Sequence, residues 1–281
     1  MVTWNNLDTL ASFKELSKME RVNLVEAMSG ENGADRVKNY SVPMAGGFSY
    51  NYAAKQVDDK VLAALVKLAE EAQLAEKFEA QVINTGEKRL VLHHMTRGQL
   101  GDAVTADGVD KRSFYVEQQE RIADFANKVH SGEITNAAGE KFTTVVQIGI
   151  GGSDLGPRAM YLALENWAKK NGKFKMEAKF ISNVDPDDAA AVLNSTDVAH
   201  AIFVLVSKSG TTLETLTNES FVKDALKKAG LDPSKHMIAV TSETSPLAKS
   251  DDYLAAFFMD DYIGGRFSST SAVGGAVLSL A

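Results

Sequence analysis

The sequence predicts an α/β protein in which a doubly wound parallel sheet flanked by helices follows a mostly helical N-terminal segment. Three observations lead to that class. From Thr143 onward, short apolar runs rich in β-branched residues alternate with longer stretches at helical spacing, as in a parallel sheet covered on both faces. Each of the stronger runs ends in small or hydroxylated residues, as when Val145-Val146-Gln147-Ile148-Gly149-Ile150 breaks into Gly151-Gly152-Ser153. Before about Asp110, apolar residues recur mainly at three- and four-residue spacing. The chain is therefore read as residues 1–110, mostly helical, and residues 111–281, an α/β domain.

In the first region the helical pattern runs through Leu7, Phe13, Leu16, Val22 and Val25, and again through Val61, Leu62, Leu65, Leu68, Leu74 and Phe78. Between them, residues 40–52 place Pro43, Gly46 and Gly47 among aromatics and read as an ordered loop. Residues 89–97 are a short apolar run ending in polar groups, and residues 99–108 read as a loop. His93-His94 invites a metal hypothesis. Adjacent side chains point apart on a helix or a strand, however, and no carboxylate pattern accompanies them, so a structural or substrate-adjacent role is the expectation.

Residues 111–130 form an amphipathic helix, with Phe114, Ile122, Phe125, Ala126 and Val129 on one side and Gly132 closing it. Strands are then expected at 143–150, 177–182, 201–207 and 237–241, with a weaker one near Phe257. Helices are expected at 158–170, 187–194 and 212–229, with a short one near Leu247. Right-handed crossovers between parallel strands follow from this order. Ligands of such sheets sit beyond the carboxyl ends of the strands, so the loops at Gly151, Asn183, Ser207 and Gly264 should gather on one rim.

Bulk properties narrow the function classes. A chain of 281 residues with 44% hydrophobic and 24% charged residues has the composition of an ordinary globular protein. Its net charge of -7 argues against non-specific nucleic-acid binding as the main task. The absence of cysteine removes disulfides, thiolate catalysis and cysteine-ligated metals together. No basic start precedes an apolar core at the N-terminus, and no apolar run approaches the roughly 18 residues of a membrane span. The sequence reads as cytoplasmic and not membrane-bound.

Three loops carry the chemistry. In the first, Gly151 and Gly152 allow a tight turn, Ser153 adds a hydroxyl, and Pro157 suits the first turn of a helix whose N-terminus would attract an anion. The same letters also serve a turn that binds nothing. A dinucleotide fingerprint fails in both frames, at Asp154 and at Ser153, and a P-loop fails at Pro157-Arg158. The second loop, Ser207-Lys208-Ser209-Gly210-Thr211-Thr212-Leu213-Glu214-Thr215, crowds hydroxyls, an ammonium and a glycine beyond a strand. Thr211-x-x-Glu214 satisfies a capping box, which explains one hydroxyl and leaves Ser207, Ser209, Thr212 and Thr215 suited to a dianionic phosphate. In the third, Gly264-Gly265 frees the backbone and Arg266 offers a permanent cation suited to a developing oxyanion; a surface arginine after a turn is the plainer alternative. Residues 272–281 are small and apolar, as in a buried helix. The sequence stops inside that pattern without a cap, which reads as truncation of something longer.

Together these segments resemble the phosphoglucose isomerase family. Ile148-Gly149-Ile150-Gly151-Gly152-Ser153-Asp154-Leu155-Gly156-Pro157 is similar to that family's first loop, Ser207 to Thr215 to its phosphate loop, and Gly264-Gly265-Arg266-Phe267-Ser268 to its signature arginine loop. Asn84-Thr85-Gly86, with Val91-Leu92-His93, is similar as well. Many members carry Thr-Phe in place of Ser209-Gly210, and the variant in this chain is closer to the wider sugar-isomerase (SIS) group. The resemblance implies a SIS-type fold and a cytoplasmic, homodimeric enzyme of glycolysis and gluconeogenesis. It implies interconversion of glucose 6-phosphate and fructose 6-phosphate through an enediolate, with no metal or organic cofactor. By position, Ser207, Ser209 and Thr212, with Lys208 and Thr215, would hold the phosphate. Gly152, Ser153 and Gly265 would meet the sugar, and Arg266 would stabilise the enediolate. The glutamate base and the histidine and lysine of ring opening are expected beyond Ala281. The alternatives are a non-catalytic sugar-phosphate-binding or regulatory SIS module, which gives Arg266 nothing to stabilise, and a dinucleotide-dependent enzyme, which already fails at Asp154.

Overall fold

The structure, a computed structural model, describes residues 2–79, 89–98 and 103–281. The chain divides into two compact units, Met1–Val82 and Ile83–Ala281.

The first unit is built of short helices: α1 (Ala11–Leu16), α2 (Leu24–Ala27), α3 (Gly30–Asn39), α4 (Asp59–Glu71) and α5 (Leu74–Glu79). Helix α1 begins at Leu10, which offers no capping side chain. The Glu71 carboxylate at the end of α4 takes over that role, accepting from Ala11 N at 3.1 Å and Ser12 N at 2.8 Å, so a group distant in sequence satisfies the free N–H donors. Buried Arg36 donates to the carbonyls of Ala53, Lys55 and Val57. Residues 40–52, expected as a loop, contain a small antiparallel hairpin of β1 (Ser41–Pro43) and β2 (Ser49–Asn51). Each strand is three residues long and both are largely exposed. No buried face exists to imprint an alternation on the letters.

In the second unit a 3-10 turn at His93–Thr96 precedes a hairpin of β3 (Thr105–Ala106), inside the segment expected as a loop, and β4 (Val109–Asp110), just after it. Asn84-Thr85-Gly86 and part of that loop lie outside the described residues. Helix α6 (Lys111–Ser131) follows, capped by the Asp110 side chain and closed by Gly132 in the left-handed conformation, a Schellman-type ending. Then come β5 (Thr144–Ile148), α7 (Leu155–Lys170), β6 (Glu177–Ile181), α8 (Pro186–Asn194), β7 (Ala201–Val206), α9 (Leu213–Lys228), β8 (Met237–Thr241), β9 (Ala255–Phe258) and α10 (Ala272–Leu280). All five strands of this sheet run parallel in the order β6-β5-β7-β8-β9. The α/β sheet expected from the letters is the one that forms, each strand within two residues of its expected bounds.

Helices cover both faces, as the all-buried β5, β7 and β8 require. Along β7, Ile202, Val204 and Val206 join a core with α6, α7 and α10. Phe203 and Leu205 point the other way, into a core with α8 and α9. One strand thus feeds two cores by its period of two. The small-residue helix α10 is buried in the first core through Ala272, Val273, Ala276, Val277 and Leu280. The chain reverses direction across the sheet between β5 and β7, so the loops beyond these two strands part toward opposite faces and leave a crevice.

Candidate functional site

The crevice beyond β5 and β7 is a cavity of about 620 Å³, within the size range of small-molecule sites. Every residue expected from the sequence to contact a phosphosugar lines it: Gly152, Ser153, Ser207, Lys208, Ser209, Thr212, Thr215 and Gly265. Arg266 lines an adjoining cavity of about 580 Å³ that shares Arg89, Gly152, Asp261 and Gly265 with the first.

The second loop is organised by its own hydroxyls. The Ser207 hydroxyl accepts from Gly210 N at 3.1 Å and lies 3.4 Å from Thr212 Oγ1. Gly210 holds φ +68°, and a Cβ there would sit 2.2 Å from Ser245 Oγ, so both the backbone conformation and the space demand glycine. The expected capping box does not form. Thr212, not Thr211, is the N-cap of α9, and it makes no side-chain capping bond. The Thr211 hydroxyl donates instead to Ser209 Oγ at 3.0 Å. Because the tight turn at Gly210 moves the helix start by one residue, the hydroxyls of Ser207 and Thr212 face each other across the mouth of a 16-residue helix. The Lys208 ammonium is drawn toward the third loop, reaching Ile263 O at 3.2 Å and Asp261 O at 3.4 Å.

First and third loops meet backbone to backbone. A Cβ on Gly152 would lie 2.2 Å from Gly265 C and 2.3 Å from Gly265 O, so only glycine permits this approach. Behind Gly152, buried Asp154 anchors the first turn of α7 through Arg158, whose Nε and Nη2 lie 2.9 and 2.8 Å from its Oδ1. Burial pushes the Asp154 carboxyl above its ordinary value, and Arg158 opposes the shift. Next to exposed Arg266, Phe267 stacks on the His93 imidazole, ring centroids 4.3 Å apart. His93 also approaches Arg97. Burial first, and then the charges of Arg97 and His94, lower its pKa. Among the described residues no cluster of three or more histidines, aspartates or glutamates is placed to hold a metal.

The Asn183 loop lies at the same carboxyl edge of the sheet but does not line the cavity. Its carbonyl accepts from Asn218 at 3.2 Å, and β6 is an edge strand on the far side of β5 from β7, one strand removed from the crevice. The cavity instead gains Ser242, Thr244 and Ser245, from the turn after β8, and Arg89. The first three were legible as hydroxyls following a strand. Arg89 was not, because its partner Asp261, whose carbonyl it reaches at 2.8 Å, lies 172 positions away.

Comparison with known proteins completes the picture. A family description, phosphoglucose isomerase, matches residues 51–281. The chain belongs to the phosphoglucose isomerase family. It is 58% identical to the glucose-6-phosphate isomerase of Treponema denticola, over 99% of this chain and 54% of the relative. With that of Treponema pallidum it shares 50% identity over 100% of this chain and 54% of the relative. The crystal structure of a glucose-6-phosphate isomerase from Chlamydia trachomatis superimposes with a TM-score of 0.83 at 36% identity, over 99% of this chain and 53% of that one. The chain thus spans about half the length of the curated relatives it matches. Among its described residues no helix is long and apolar enough to cross a membrane.

Proposed function

We propose that this chain supplies the phosphate- and sugar-binding half of a cytoplasmic, homodimeric isomerase that interconverts glucose 6-phosphate and fructose 6-phosphate through an enediolate. The observation that carries the reading is the convergence of the hydroxyl-rich loop, at the N-terminus of α9, with a glycine contact and an arginine on one crevice. A dianionic phosphate would accept from Ser207, Ser209, Thr212 and Thr215 at the positive end of the helix, with Lys208 adding charge. Gly152, Ser153 and Gly265 would bring backbone close to the sugar. Arg266, a cation at every working pH, would stabilise the negative charge that develops on the enediolate oxygen.

We assign no proton-transferring base on the cavity wall. The carboxylate there, Asp261, lies 3.6 Å from Arg89 and 4.0 Å from Lys208, where its charge is engaged by two cations. The 281-residue chain alone should therefore not isomerise fructose 6-phosphate, and robust turnover in a coupled assay would overturn this. In a longer form that does turn over substrate, Arg266→Ala should lower kcat about 100- to 1,000-fold, as for loss of an oxyanion donor. Unchanged kcat would favour a non-catalytic sugar-phosphate-binding module.

A further inference from the structure

Behind each of the first, second and third loops of the cavity wall stands a buried side-chain donor that is itself no part of the lining. Thr241, the last residue of β8, has no solvent exposure and donates its hydroxyl to Ser207 O at 2.7 Å, with Lys208 O at 3.4 Å. Gln147 on β5, 1% exposed, donates Nε2 to Ser153 O at 2.6 Å. Ser268, equally hidden in the third loop, donates to Gly265 O at 2.7 Å and reaches Gly152 O at 3.3 Å. The five carbonyls engaged belong to five residues that line the cavity.

A peptide group presents either its N–H or its carbonyl oxygen to a neighbouring void, and an anion is attracted to the first and repelled by the second. A donor placed behind the loop decides between them by drawing the carbonyl inward. Packing does not call for these donors: the rest of β8, Met237 to Val240, is apolar, and valine would fill the volume of Thr241 without a hydroxyl. On β5, Gln147 stands between apolar Val146 and Ile148, in a strand whose other polar residue, Thr144, is at its start.

We propose that Thr241, Gln147 and Ser268 are positioning residues that prepare the cavity for an anion by holding these five carbonyl oxygens away from it. The inference rests on the phosphate reading proposed above. Titration of inorganic phosphate into the protein, followed by backbone amide shifts and calorimetry well below the melting temperature, tests both. Thr241→Val should weaken phosphate binding about tenfold, the scale of one misplaced polar group. Thr241→Ser, which restores the donor with less volume, should return the affinity to within about twofold of the parent. Ser268→Ala tests the same idea on another loop and decides the matter if Thr241→Val does not fold. Parental affinity in both Thr241→Val and Ser268→Ala, or in Ser268→Ala alone if it is the one that folds, overturns the inference while leaving the phosphate reading intact. Failure of the unsubstituted protein to bind phosphate overturns the reading and the inference together.

Discussion

Adding one methyl group at Gly152 is the sharpest test of how the site is built. In Gly152→Ala the new Cβ would stand 2.2 Å from Gly265 C, where ordinary contact begins at 3.4 Å. The two loops must therefore separate by about 1.2 Å, and the three atoms met, Gly265 C, O and Cα, are all backbone, which no rotamer change can move aside. Opening this contact also lengthens the Ser268 Oγ to Gly152 O bond beyond its present 3.3 Å. Overpacking of this kind costs about 1–3 kcal/mol, and for a unit of this size, at about 2–4 °C per kcal/mol, that lowers the melting temperature by roughly 2–12 °C. The functional cost should be larger, because Arg266 follows Gly265 directly and moves with it. A displacement of about 1 Å at a reacting centre can cost on the order of 100-fold in rate. Thermal unfolding of the 281-residue chain measures the first effect, and steady-state turnover of fructose 6-phosphate by a longer, active form measures the second. A variant with parental melting temperature and parental kcat/KM would refute the close approach of the first and third loops.

Two further predictions follow from buried and titrating groups. Asp260, just before the third loop, is buried and accepts from Tyr115 OH at 2.7 Å, with Lys111 Nζ 3.4 Å away; Lys111→Met should destabilise the second unit by about 3 kcal/mol through an uncompensated carboxylate, and Lys111→Met with Asp260→Asn, which removes the charge and keeps an acceptor for Tyr115, should recover most of that in denaturant unfolding. Histidine titration by NMR should find His200 above the ordinary value of about 6.5, because Asp197 and then Glu140 hydrogen-bond its ring, and His93 and His94 below it because burial disfavours their charge. A raised folded pKa means that the His200 contribution is complete below about 6.5 and fades as pH climbs through the raised value, so His200→Gln should cost stability in mild acid and little in alkali. His93 and His94 act with the opposite sign, their contribution being present above about 6.5 and lost as pH falls through their lowered values; the reverse order of titration would refute both assignments.

Much of this protein was legible in its letters because local physics and global architecture agree. Apolar β-branched runs at 145–148 and 202–206 can be satisfied only by burial on both faces, so a parallel sheet with helices on either side follows from composition and spacing alone. Gly132 marks a helix end by chemistry that acts within a few residues. Hydroxyl-rich and glycine-rich breaks after strands likewise pointed to the cavity wall, since the carboxyl ends of parallel strands share one edge.

Tertiary structure alone decided what depends on groups distant along the chain. The start of α9 was misplaced by one residue because Gly210 turns against Ser245, a contact invisible in the letters around Thr211. The strand order put β6 at an edge, which kept Asn183 off the cavity wall and brought in the turn after β8. Likewise, no local pattern joins Arg89 to Asp261, Thr241 to Ser207 or Ser268 to Gly152. Sequence periodicity records which face of an element is buried, and capping residues record where it stops. The partner a polar group finds 34 or 172 positions away is set by how the elements pack, and the electrostatic character of the crevice follows from that packing.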